Sequence, residues 1–297
     1  MLSSIKHTGA SDKLVIAIVY LTVTSFALFS FIPFWLVIVN SFASESVLGL
    51  HGFSLLPSKW SLDAYRYLLT GNQIYYSYGV TLFVTVVGTV LAVLITAMFA
   101  YVLAHPKVKY KNHLAFFTYF TILFGTGLVG FYIVISVWLG LKDSIWSMIL
   151  PSLINPFYTF ILVSFFRTLP FEIYESAVID GAGDYRIFFR IMWPISIPAI
   201  ATISLFYAIF YWNDWWLALL FVDNYKLQPL QLMIRQLISN LNILSYIQGS
   251  PGAYGGGLPN QGVRLATVCL TIGPIVFLYP YIQKYFVKGL TIGSVKG

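Results

Sequence analysis

Four acids and two arginines crowd one short stretch, Glu172, Glu175, Asp180, Asp184, Arg186 and Arg190, while another acid, Asp214, stands alone inside an apolar run. Hydrolytic or proton-transfer chemistry would need acids, histidines or an activated nucleophile gathered at one point. The histidines His7, His51, His105 and His113 are dispersed, and His105 and His113 flank a basic loop in a manner that reads as interfacial. The single Cys269 lies in an apolar run, so neither a metal-ligand spacing nor a disulfide framework can be read. No Gly-x4-Gly-Lys-Ser/Thr phosphate loop occurs, so no nucleotide site of that kind can be read from the sequence. The expectation is no catalytic residue, no metal and no cofactor here. A membrane-embedded enzyme remains the alternative of a different class, and a channel would want a selectivity ring that one intramembrane acid does not supply.

The elements that must position these residues are apolar. Of 297 residues, 59% are hydrophobic, 18% aromatic and 9% charged, with a mean hydropathy of +0.81. Globular domains carry about 25% charged residues. The chain therefore reads as an all-α polytopic membrane protein forming one transmembrane domain over 1–297. Nearly charge-free runs at Leu14–Val39, Tyr75–Ala104, Leu114–Leu141, Ser144–Phe166, Ile195–Val222 and Leu265–Gln283 predict six transmembrane helices. The first run is too long for a signal-peptide core and reads as a retained span.

An even number of spans leaves both termini on one side, and the cytoplasmic side should be richer in Lys and Arg. Cytoplasmic termini place Lys6, Lys13, Lys107, Lys109, Lys111, Arg167, Arg186, Arg190, Lys284, Lys288 and Lys296 there, most of the 17 basic residues. The net charge of +7 is thus a topology signal, and no dense basic patch calls for nucleic acid. Two external segments exceed an ordinary turn. Ser41–Ile74 should carry an amphipathic surface helix beginning near Ser61, and Asp223–Gln261 contains the loop-like "GSPGAYGGGLPNQG". No internal repeat is evident.

The charged stretch lies in a third cytoplasmic segment, 167–194. Pro170 suits a first helical turn, and Glu172 and Glu175 favour the positive end of that helix. Gly181 and Gly183 interrupt the pattern, after which Asp184 is expected to cap a second short helix. Ile187, Phe188, Ile191 and Met192 give it an apolar face, with Arg186 and Arg190 on the polar side. The predicted object is a helix, a glycine bend and a helix at the membrane surface.

This segment resembles the signature loop of binding-protein-dependent ABC importer permeases, E-A-A-x3-G-x9-I-x-L-P, in Glu175, Ser176, Ala177, Gly181, Ile191 and Pro194, with Asp180 and Arg186 inside the same loop. Ser176 and Trp193 depart from the usual Ala and Leu. The stretches "LPSKWSLDAYRYLL", "TVVGTVLAVLITAMFAYVLAHP", "MILPSLINPFYTFILVSFF" and "WPISIPAIATISLFYAIFYWNDWW" and the tail Lys288–Gly297 resemble the carbohydrate-uptake branch, with polysaccharide and oligosaccharide permeases most similar. Gly79 and Gly130 stand where that branch often has Asn and Pro.

The resemblance implies a type I importer permease with a MetI-like core in the cytoplasmic membrane, its 167–194 loop coupling to an ATPase. It implies a second homologous permease, two ATP-binding cassette subunits carrying ATP and Mg, and an extracytoplasmic solute-binding protein as partners, besides membrane lipid. The substrate class it implies is an oligosaccharide or polysaccharide, with a peptide, amino acid or other small polar solute as the alternative.

A sugar pathway needs hydroxyl partners and aromatic faces. Tyr132 and the cluster Tyr207, Tyr211, Trp212, Asn213, Asp214, Trp215 and Trp216 are the candidates, and an interfacial aromatic belt is the competing reading. Gly125, Gly127 and Gly130 are expected to allow close helix packing or a kink.

Overall fold

The computed structural model describes residues 10–125, 127–247 and 261–272, and among them every element is helical. In chain order these are α1 (Ala10–Ser41), α2 (Glu45–His51), α3 (Asp63–Thr70), α4 (Gln73–Ala104), α5 (Lys111–Leu123) and α6 (Gly127–Ile133). There follow α7 (Trp146–Ile149), α8 (Pro156–Phe166), α9 (Glu172–Ile179), α10 (Asp184–Ile195), α11 (Ile197–Asn213), α12 (Trp216–Phe221), α13 (Leu230–Ile247) and α14 (Gln261–Ile272). A π turn at Val134–Trp138 extends α6, another at Phe188–Met192 lies within α10, and a 3-10 turn at Leu150–Ser152 extends α7.

Two apolar runs form single uninterrupted helices. Both α1 and α4 are long and apolar enough to cross a membrane alone. The third, fourth and fifth runs are corrected from single helices to broken ones. The third breaks between α5 and α6, where Gly127 takes φ +71°. Within this chain a Cβ at Gly125, Gly127 or Gly130 would touch nothing, and Gly127 stands at the break, in keeping with the kink expected as the alternative to close packing. The fourth bends by 47° between the α7 segment and α8, at Pro156. The fifth is interrupted at Asp214 and Trp215 between α11 and α12. Of the sixth run, only the part within α14 is described; the rest, the terminal tail and most of the Gly-rich stretch lie outside the described residues.

The chain divides into two compact units, the first made of residues up to Thr70 with Leu241–Ile272. Here Ala43 pairs with Trp60, and Ser44 N–H donates to Lys59 O (3.0 Å) and Ser61 N–H to Phe42 O (2.7 Å). Asn40 bridges to Ser54 through both its amide nitrogen (2.8 Å to the carbonyl) and its oxygen (3.0 Å from N–H). Glu45 accepts from the Gln261 and Gly262 amides at 2.9 and 3.0 Å, satisfying the start of α14. The surface helix expected near Ser61 is α3, whose Asp63 N–H donates to Ser61 Oγ at 3.0 Å.

The second unit, Gly71–Asn240, is built on α4. Its small buried residues Ala92, Ala97 and Ala100 let neighbouring helices approach, and α11 and α8 pack along it. At one end of α4, Gln73 Nε2 donates to Tyr225 O (2.7 Å), and Thr81 Oγ1 accepts from Leu230 N–H (2.8 Å) at the start of α13. That helix replaces part of the loop expected over Asp223–Gln261. Its buried Leu230, Leu232, Met233 and Ile234 explain why the segment folds.

Among the described glycines of this unit the tightest surroundings are at Gly88, where a Cβ would come within 2.9 Å of the buried Tyr211 ring. Gly88→Val is expected to lower stability by about 1–3 kcal/mol, the usual cost of overpacking. The check is a reduced thermal unfolding midpoint in detergent, partly restored when Tyr211→Ala is added.

Candidate functional site

The 167–194 segment folds as the predicted helix, bend and helix. Glu172 opens α9, with Glu175 in its first turn, while Pro170 precedes it and supplies O to Ile173 N–H (3.3 Å). At the other end Gly181 N–H donates to Val178 O and Ala182 N–H to Ala177 O, both at 3.0 Å. This Schellman pair needs a left-handed residue just past the helix, and Gly181 provides it at φ +76°. The motif's Ala177 is buried and its Gly181 is exposed. Thus one position packs while the other turns the chain.

Asp184 does not cap α10; Gly183 is the extended residue before it. Asp184 instead accepts from the Tyr174 hydroxyl at 3.0 Å, tying the second helix to the first. Ile187, Phe188 and Met192 are buried and Ile191 half-buried, as their spacing predicted. Glu175, Ser176, Asp180, Arg186, Arg190 and Pro194 are exposed. Ile179 and Tyr185, not singled out from the sequence, stand 84% and 76% exposed beside them. An apolar pair set among charges of both signs is the composition of a protein contact surface.

A basic loop holds this segment to α4. The His105 ring meets Tyr174 edge-on at 4.5 Å and Phe171 at 5.8 Å. Lys107 Nζ lies 3.6 Å from Glu175 Oε1 and 5.2 Å from the Phe171 ring centre. The ion pair is largely exposed and contributes little alone. The stacked aromatic pair Phe171 and Tyr174 gives the ammonium and imidazole one shared face. Burial is the main cause that lowers the His105 pKa below its ordinary 6.5, assisted by Lys107 and Lys111 and opposed by Asp184.

Of the pathway candidates, Tyr207 and Tyr211 are fully buried and their hydroxyls are used. Tyr207 Oη pairs with Thr96 Oγ1 (2.8 Å) and accepts from Asn155 N–H (2.9 Å); Tyr211 donates to Ile149 O (3.1 Å). Trp212 is buried, and Tyr132 is half-buried and stacked on Phe221 at 5.6 Å. Asn213 is exposed and donates to Ile209 O (2.8 Å). Asp214 Oδ1 accepts from Trp216 and Leu217 N–H at 3.1 and 3.3 Å, capping α12, and its Oδ2 is buried with no partner among the described residues. Trp215 is covered by the Arg235 guanidinium at 3.7 Å from its ring centre, and Trp216 is exposed. Asn213, Asp214, Trp215 and Trp216 thus gather at the break, while Tyr207 and Tyr211 are buried with their hydroxyls bonded.

At the far end of α12 the structure adds Asp143, at φ +55°, whose Oδ1 accepts from Asp223 and Asn224 N–H at 2.6 and 2.8 Å. Those amides hold its carboxyl below the ordinary carboxylate range. Lys142 Nζ meets Asp223 Oδ2 at 2.9 Å alongside. Adjacent Lys-Asp in an otherwise charge-free stretch was the available signal.

The family model described as "Binding-protein-dependent transport system inner membrane component" matches residues 92–292, which include the whole 167–194 segment. The chain belongs to this family. It is thus a non-catalytic, membrane-embedded component of such a transport system. It is 40% identical over 288 residues to the polygalacturonan/rhamnogalacturonan transport system permease protein YtcP of Bacillus subtilis (strain 168), covering 96% of this chain and 99% of that one. Protein LplC of the same organism is 41% identical over 268 residues, covering 90% and 89%. A chain in the crystal structure of a bacterial ABC transporter involved in the import of the acidic polysaccharide alginate is similar with a TM-score of 0.83 and 26% identity, covering 95% and 99%.

Two measurements on this inner-membrane component test the geometry. Because the folded state prefers neutral His105, the loop contact is complete above pH 6.5 and weakens as pH falls below it toward the lowered value. Hydrogen-exchange protection of 172–179 should therefore hold above pH 6.5 and drop as the pH is lowered below it, and His105→Gln should flatten that dependence. At the break, Asp214→Ala should cost about 1 kcal/mol through loss of the cap, whereas Asp214→Asn, which keeps an acceptor oxygen, should cost less. Thermal unfolding of both variants in detergent reads this difference.

Proposed function

We propose that the chain is one of two permease subunits in an ATP-driven importer that moves an oligosaccharide or polysaccharide across the cytoplasmic membrane by alternating access. In this reading it spans the membrane six times with both termini in the cytoplasm. A second homologous permease completes the pathway, two ATP-binding cassette subunits hydrolyse ATP with Mg, and an extracytoplasmic solute-binding protein delivers the saccharide. The similarity to a permease named for polygalacturonan and rhamnogalacturonan, and to a transporter of alginate, supports the saccharide class.

The observation that carries the coupling role is the exposed edge of α9 and α10 around Gly181. A rigid two-helix element, pinned to α4 through His105 and Lys107, can pass a movement of an ATPase subunit to the bundle. Glu175, Asp180 and Arg186 would meet that subunit, with Ile179 and Tyr185 as apolar contacts. Asn213, Asp214 and Trp216 are the pathway residues best placed to face a sugar, because Tyr207 and Tyr211 already spend their hydroxyls on neighbouring helices.

The test is an importer reconstituted in lipid with its partner permease, ATPase and binding protein. Saccharide-loaded binding protein should stimulate ATP hydrolysis. Gly181→Trp forces a side chain into a left-handed conformation, which costs roughly 1–2 kcal/mol and should cut the stimulation by on the order of ten-fold without preventing assembly. An ATPase indifferent to every loaded binding protein refutes the reading.

A further inference from the structure

The first unit contains a cleft of about 750 Å³ lined in part by Lys59, Trp60, Ser46, Asp63 and Arg66. Ligand pockets for small molecules are commonly about 300–1,000 Å³, so the cleft has the size for a short oligosaccharide segment. Its floor is rigid because the Ala43–Trp60 bridge and its two flanking hydrogen bonds fix the backbone of Lys59 and Trp60. The Trp60 side chain is not used to build a core: the residue is 58% exposed. An indole face held open in this way is a stacking platform.

The polar groups around it are unevenly committed. Glu45 gives both carboxylate oxygens to backbone amides of α14. Asp63 Oδ2 accepts from Ser61 Oγ at 2.6 Å, and its Oδ1 lies 3.9 Å from Arg66 Nη1 in an exposed, weak pair. Lys59 makes no ion pair among the described residues, and Arg66 keeps most of its donors unspent. Glu45 and Asp63 balance Lys59 and Arg66 in the lining, but three of the four carboxylate oxygens are already engaged, so the largely uncommitted charged donors are Lys59 and Arg66, next to an aromatic face. Charge-assisted bonds from such groups recognise carboxylates.

Resting on the saccharide-importer reading, we infer that this cleft is a contact site for a uronate-bearing oligosaccharide, with Trp60 stacking on a sugar ring and Lys59 and Arg66 meeting its carboxylates. It would engage the substrate outside the membrane-spanning helices, in a segment the topology reading places on the extracytoplasmic side. An exposed tryptophan also suits a lipid headgroup belt, and the experiment separates the two.

The assembled importer in lipid nanodiscs, without binding protein, is titrated with trigalacturonate and with maltotriose while saturation transfer to the sugar protons is observed. Trigalacturonate should receive saturation, Trp60→Ala should abolish it and Trp60→Phe should retain part of it. Lys59→Gln, an exposed substitution that leaves the Ala43–Trp60 bridge intact, should weaken binding about five-fold, as expected for one charge-assisted bond, and maltotriose should bind more weakly by a similar factor. Equal binding of maltotriose with no effect of Lys59→Gln overturns the uronate assignment. Transfer unchanged by Trp60→Ala, or absent although loaded binding protein still stimulates the ATPase, overturns the cleft while the importer reading stands. Failure of that stimulation with every saccharide removes both.

Discussion

Backbone amides released inside an apolar medium must find partners, and the broken helices of this chain depend on that constraint. Where the fourth apolar run breaks at Pro156, Asn155 Oδ1 accepts from Phe157 and Tyr158 N–H, and the freed Asn155 amide donates to Tyr207. Where the fifth breaks, Asp214 repays the amides of Trp216 and Leu217. Tyr211 reaches Ile149 just before the first break, so α11 repairs the neighbouring element as well as packing on it. These tyrosines explain how α4, α8 and α11 can form one core despite their irregular backbones.

The same core gives the charged segment its footing. Ala177, Ile187, Phe188 and Met192 are buried with residues of α4 and α8, so α9 and α10 are joined to the bundle by apolar packing. Asp180, Arg186, Ile179 and Tyr185, exposed around Gly181, take no part in that apolar packing. A lever must be stiff at one end and open at the other, and the division between buried and exposed residues in this segment has that character.

Much of this was legible beforehand, for identifiable reasons. Apolar runs long enough to span predicted α1 and α4 closely, because length and hydropathy alone decide such helices. The spacing from Glu175 to Pro194 marked the two-helix segment, since a glycine must stand where the chain turns left-handed. The interruptions were harder to read. Asp214 announced itself as a lone acid, but nothing local showed that it caps a helix, or that the hydroxyls of Tyr207 and Tyr211 are bonded to partners more than 50 positions away. Helix α13 was hidden because its apolar residues lie in a segment otherwise marked by Gly and Pro.

The sequence by itself determined the membrane class, the family signature and the place where charges leave the lipid phase, because hydropathy, Lys and Arg counts and a glycine-bearing motif are local properties. Only the tertiary structure decided which polar side chains repair the backbone and which remain open. That choice depends on distances between residues far apart in the chain, such as Thr96 to Tyr207, Thr81 to Leu230 and Lys107 to Glu175. Hydrogen bonds act over about 3 Å, and no pattern of residue types along one dimension specifies which partners come that close.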